Sequence, residues 1–138
     1  MKFAHLLVAV FFALHSNAVI VQFDKIYDKP EGRLESVACS DGPNGLITRG
    51  YGPTFGTLPK FNHIGAASAI EGWNSEKCGT CWELKYTTKF TQRSIVIFAI
   101  DHTEEGFTIS EGAMNDLTAN QAKLLGRVDV VTTEVPCA

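Results

Sequence analysis

The sequence predicts a small, mainly β domain: a closed barrel of about six strands joined by turns and short helices. Three observations carry this expectation. Strand-like stretches are short and separated by dense Gly, Pro, Asn and Asp turn signals. The most apolar internal run, Ser94 to Asp101, has a strand's length and β-branched character. The helical patterns are few and brief, which fits connections around a barrel rather than the crossover helices of a βαβ sheet.

The first 18 residues read differently from the rest. Lys2 gives a positive start, Phe3 to Leu14 is almost continuously apolar, and Ser16-Asn17-Ala18 puts small residues three and one before a cut. A secretory signal over residues 1–18 is expected, followed by one domain over residues 19–138. The apolar run falls short of the roughly 20 residues a transmembrane helix needs, so no membrane anchor is expected. The full chain carries 12 basic and 15 acidic residues, a net charge of −3. Losing Lys2 makes that 11 against 15, or −4, which speaks against nucleic acid as a partner.

Val19 to Asp24 alternates loosely and reads as the opening strand. Tyr27 to Gly45 is turn-rich, through Asp28-Lys-Pro-Glu-Gly and Ser40-Asp-Gly-Pro-Asn-Gly. Leu46 to Tyr51 is short and strand-like, ended by Gly52-Pro53. Asn62 to Gly72, with Ile64, Ala66, Ala67, Ala69 and Ile70, suits a short helix stopped at Gly72. Trp82 to Thr88 alternates as a half-buried strand, and Ser94 to Asp101 should be a strand buried on both faces. Ser110 to Leu117 is a short helix and Asn120 to Leu125 another, capped by Asn120 and ended by Gly126. Arg127 to Val135 closes the domain as a strand of period two.

Cys39, Cys78, Cys81 and Cys137 are an even set in an exported chain, which predicts two disulfides among three connectivities. A redox reading of Cys78-Gly-Thr-Cys81 lacks its βαβ context, and a zinc site lacks a second short-spaced ligand pair. No metal or cofactor is expected, and no nucleotide, serine-hydrolase or metalloprotease motif occurs.

The chemistry-bearing candidate is Asp101, a carboxylate at the end of the apolar strand, followed by His102. It is placed either to grip sugar hydroxyls or serve acid/base chemistry, or to hold the next loop as a local acceptor. Glu104, Glu105, Glu111 and Asp116 follow, but a run of acids is usually a solvated face, and spacing alone identifies no catalytic pair. Asp41 sits in an ordinary Asp-Gly turn. Tyr51, Phe55, Trp73 and Trp82 are aromatic candidates for sugar stacking, although large aromatics in a small domain mostly build the core.

Several longer motifs carry a resemblance. Ser36-Val-Ala-Cys-Ser-Asp-Gly-Pro-Asn-Gly-Leu, Phe55-Gly-Thr-Leu-Pro, Ala69-Ile-Glu-Gly-Trp-Asn-Ser, Cys78-Gly-Thr-Cys-Trp, Ala99-Ile-Asp-His and Gly112-Ala-Met-Asn-Asp-Leu-Thr occur in that order. Together with the four cysteines they resemble the cerato-platanin family across the whole of residues 19–138. The resemblance implies a double-psi β-barrel related to expansins, barwin and family 45 glycoside hydrolases. It implies the disulfides Cys39–Cys78 and Cys81–Cys137, and a protein of the extracellular space and fungal cell wall. It further implies binding of chitin or N-acetylglucosamine oligomers, and of cellulose, with non-hydrolytic loosening of polysaccharide. Elicitation of plant defences is implied as well, which makes a plant receptor a candidate partner.

The family residue most tied to loosening matches Asp101. The segment Gly106-Phe-Thr-Ile-Ser resembles an expansin segment that carries a catalytic acid, with Thr108 at the acid's position. Threonine is not a proton donor of suitable pKa, so no catalytic residue is expected. Plant expansins' second, sugar-binding domain has no counterpart here, so a shallow groove of Ser40, Asp41, Tyr51 and the loop around Asp101 should bind the carbohydrate. The expected form is a monomer. Two alternatives are a weak single-domain endoglycanase and a surface-active, self-assembling protein.

Overall fold

The computed structural model describes residues 18–138. Apart from Ala18, the expected signal segment lies outside the described residues. Among the described residues six strands form: β1 Val19–Phe23, β2 Ile64–Ala67, β3 Cys81–Thr87, β4 Gln92–His102, β5 Phe107–Ile109 and β6 Arg127–Val135. They close in the order β1-β5-β2-β4-β3-β6. The pairs β1/β5 and β2/β4 are parallel and the other four are antiparallel. Closure removes the free strand edges that an open sheet of this size would present to other chains. This is the mainly β barrel with short helices that the sequence predicts.

β4 is the axis of the core. Ile97, Phe98, Ala99 and Ile100 are buried in succession, so both faces of the strand are covered. The helix α1, Glu111–Thr118, packs across β3 and β4 through Ala113, Met114 and Leu117. Its start is fixed by two side chains. Ser110 caps it, accepting from the Ala113 amide at 3.0 Å. The Asp28 carboxylate, from a distant 3-10 turn, accepts from the Glu111 and Gly112 amides at 2.7 and 2.9 Å. Three of the first turn's unpaired N–H groups are thereby satisfied.

Both disulfides have the pairing that the resemblance implied, Cys39–Cys78 and Cys81–Cys137. They close loops of 39 and 56 residues, each worth about 4 kcal/mol in the chain-entropy model. The first joins the segment leading to Ser40 and Asp41 to the base of the 70–77 loop. The second ties the chain's end to the start of β3.

Three local expectations are corrected. Asn62–Gly72 is not a helix, because Ile64–Ala67 forms β2, buried on both faces between β4 and β5. A short run of small apolar residues has no decisive period, and sheet contacts override alanine's helix preference. Gly65 permits this, since any side chain there would collide with the Thr108 carbonyl of β5. Leu46–Tyr51 is a set of turns in which the amides of Arg49, Gly50 and Tyr51 bond to Gly45, Ile47 and Leu46, while those of Leu46 and Ile47 reach back to the Cys39 and Ser40 carbonyls. The second helix, α2, spans Ala122–Leu125, and its first amide is capped by Asn115 of α1 rather than by Asn120. Gly126 ends it as expected, with a φ of 71°.

Candidate functional site

Asp101 stands near the end of β4, partly exposed, at a rim of the barrel. Its carboxylate is held from three directions. Oδ2 accepts from the Tyr27 hydroxyl at 2.9 Å. Oδ1 accepts from the Ala38 amide at 3.0 Å and from the His102 amide at 2.8 Å. A carboxylate offers about four lone-pair directions, so one, on Oδ2, stays open to a further donor. Asp101 is therefore a structural acceptor and also has a position left for a hydroxyl group.

Tyr27 is almost wholly buried, with its ring 6.2 Å from that of Phe55. Burial first, and the Asp101 carboxylate second, push its phenol pKa far above the usual range. The hydroxyl thus stays protonated and donating at any working pH. Nothing in the local sequence marks Tyr27 as a partner of a residue 74 positions later.

The barrel also sets what faces Asp101 across the sheet. Ala66 of β2 pairs with Asp101 on one side and with Thr108 of β5 on the other. Residues 101 and 108 are thus two strand spacings apart, roughly 10 Å between Cα atoms. Thr108 meets the Thr103 hydroxyl at 3.1 Å. The nearby acids are solvated or engaged with basic side chains. Glu104 is fully solvated at 98% side-chain exposure, and Glu105 is exposed. Glu111 faces Lys25 and Lys123 at 3.7 Å each, and Asp116 bonds His63 at 2.6 Å.

Two loops extend this surface. From Ala38, bound to Asp101, the chain runs through Cys39 to Ser40 and Asp41, no more than about 11 Å of backbone. The Ser40 hydroxyl lies 3.4 Å from the Asp41 carboxylate. On the other side, His102 Nδ1 bonds the Ile70 carbonyl at 2.6 Å and so holds the start of the 70–77 loop. That bond chiefly, with Glu104 adding to it, raises the His102 pKa above its ordinary value.

The loops meet where the Trp73 indole N–H donates to Asp41 Oδ1 at 2.7 Å. This bond is the main cause holding the Asp41 carboxyl below its usual pKa. Trp73 itself is 62% exposed, the one of the four that departs from the expectation that large aromatics mostly build the core. Phe55 is fully buried, and Trp82 is half-buried against Phe107. Tyr51 packs its ring 5.7 Å from Phe98, with the Arg49 guanidinium 5.6 Å from its centre. It forms the core's edge, while Asp101, Ser40 and Asp41 share one loop-connected surface. The signal for Trp73 was available in Glu71-Gly-Trp-Asn-Ser, a tryptophan outside any alternating pattern and flanked by turn formers.

Among the described residues, no cluster of three or more His, Cys, Asp or Glu side chains could hold a metal ion. Among the same residues, no helix is long and apolar enough to cross a membrane.

Comparisons with known proteins agree with this architecture. The cerato-platanin family model matches residues 19–138. The heat-stable 19 kDa antigen of Coccidioides immitis (strain RS) is 43% identical over 115 residues, 83% of this chain and 75% of that protein. The crystal structure of cerato-platanin 1 from M. perniciosa superposes with a TM-score of 0.83 at 46% identity, covering 87% of this chain and 97% of that one. The solution structure of the fungal elicitor Cerato-Platanin gives a TM-score of 0.74 at 35% identity, with 86% and 93% covered. A family match over the whole barrel, relatives above 40% identity and the same fold place this chain in the cerato-platanin family.

Proposed function

We propose that the protein is a secreted, monomeric component of the fungal cell wall that binds chitin or N-acetylglucosamine oligomers, and cellulose, without cleaving them. The observation that carries this reading is the register of Asp101, Ala66 and Thr108. Glycoside hydrolysis in its usual form needs two carboxyl groups roughly 5 to 10 Å apart. The barrel brings residue 108 to about that reach of Asp101, and the residue there is threonine. An acceptor without its acid partner can hold a sugar hydroxyl but has no means to protonate a leaving group.

Loosening follows from the same geometry. Polysaccharide chains adhere through hydroxyl contacts to one another. The open lone pair of Asp101, with the hydroxyl and carboxylate of Ser40 and Asp41 nearby, offers replacement partners to one chain at a time. Charge-assisted hydrogen bonds are roughly twice as strong as neutral ones, so each replacement favours separation.

Elicitation of plant defences is a second reading, resting on similarity to a solved structure described as a fungal elicitor. The two disulfides would preserve a recognisable shape outside the cell. Co-sedimentation with insoluble chitin and cellulose tests the carbohydrate reading. The protein should pellet with the polymer and be released by soluble N-acetylglucosamine tetramer; protein that stays in solution with every polymer overturns it.

A further inference from the structure

Trp73 is exposed, yet its ring is held in place from several sides. Its indole N–H is committed to Asp41 at 2.7 Å. The two loops that carry this pair are clamped beside it by reciprocal bonds: the Asn44 amide to Asn74 Oδ1 at 2.9 Å, and Asn44 Nδ2 to the Asn74 carbonyl at 3.0 Å. Gly42, with a φ of 80°, lies so close that any side chain there would strike the Trp73 ring and the Asn74 amide. The bases of both loops are joined covalently by Cys39–Cys78. The ring is thus fixed before any ligand arrives, which lowers the ordering cost of binding.

This fixed ring borders an open cleft of about 470 Å³, within the size range of small-molecule sites. Its other walls include Glu71, Asn74, Ser75, Glu76 and Lys77. Charges of both signs, an amide and a hydroxyl around one aromatic ring do not make the apolar surround of a protein-binding hot spot. They match a pyranose, which presents an apolar C–H face to a ring and hydroxyls to the polar groups at its edge.

We propose that Trp73 is a stacking platform for one pyranose unit of a neutral oligosaccharide, oriented by Asp41. The same chain of sugar extends toward Asp101 along the two loops. The proposal rests on the carbohydrate-binding reading and adds a subsite to it.

The test is an NMR titration of the oxidised, ¹⁵N-labelled protein with N-acetylglucosamine tetramer. The chain has two tryptophans, so its two indole N–H signals separate the platform from Trp82. The Trp73 indole signal should shift while that of Trp82 stays. Trp73→Ala should weaken tetramer binding at least five-fold, and Trp73→Phe, which keeps a ring without its N–H, should lose less. Trp73→Phe also serves as the folded control if the alanine variant is unstable. If the Ala38 and His102 amides shift while the Trp73 indole is still and Trp73→Phe and Trp73→Ala bind normally, the platform is refuted and the carbohydrate reading stands. If no signal moves at millimolar tetramer, both are overturned.

Discussion

Asp101→Asn separates the two roles that the site geometry gives this residue. The amide is the same size, and its oxygen can go on accepting from the Ala38 and His102 amides now at 3.0 and 2.8 Å. Its NH₂ would then face the Tyr27 hydroxyl, which must turn from donor to acceptor. Three bonds to a charged acceptor become neutral ones, a change of about 1–2 kcal/mol in stability. For a domain of this size that lowers Tm by roughly 4–8 °C, and the variant stays folded at 25 °C. The effect on binding comes from the open position on Oδ2, where a charged acceptor becomes a neutral donor. Sugar hydroxyls can also accept, so the loss is partial, about 1 kcal/mol or five-fold in Kd. Calorimetric titration with N-acetylglucosamine tetramer at 25 °C, beside a melting curve, reads both quantities. An unchanged Kd in the folded variant would refute the idea that Asp101 touches carbohydrate, and leave it the role of a loop clasp.

Further outcomes follow from the same contacts. Tyr27→Phe keeps the ring against Phe55 but removes the donor to a carboxylate, so a melting curve should show a loss of about 1.5 kcal/mol, near 6 °C; an unchanged Tm would contradict the bond's structural role. The His102 pKa is raised in the folded protein, so its contribution to stability is full below the unfolded pKa of about 6.5 and is lost as pH rises through the folded value. Wild-type Tm should therefore decline more than that of His102→Asn between about pH 6 and pH 8, and parallel profiles would count against the Ile70 tether. If plant cells recognise the folded shape, reduced and alkylated protein should lose eliciting activity, while a reduced preparation that elicits equally well would defeat that reading.

The strands that alternate over seven or more residues were legible in the sequence, and so was the apolar β4. β2 and β5 were not. Ile64-Gly-Ala-Ala is too small and uniform to show a period, and Phe107-Thr-Ile is three residues long. Both are defined by barrel neighbours far along the chain, with Gly65 permitting the approach. Leu46–Tyr51 misled because its apolar residues mimic a strand while the amides of Arg49, Gly50 and Tyr51 close tight turns. Asp101 was visible as a carboxylate at a strand's end. Its clasp was hidden, because Tyr27 and Ala38 reach it only after the chain folds back.

Binding without cleavage is the central claim, and one sample can test both halves of it. The oxidised protein is incubated with N-acetylglucosamine hexamer at a concentration where its amide signals show saturation, and the same tube is followed by mass spectrometry over days. Shifted amides around Asp101 with the hexamer intact are predicted by the threonine at position 108. Shorter oligomers accumulating in proportion to protein, and absent with reduced, unfolded protein, would contradict the account and make the molecule a hydrolase.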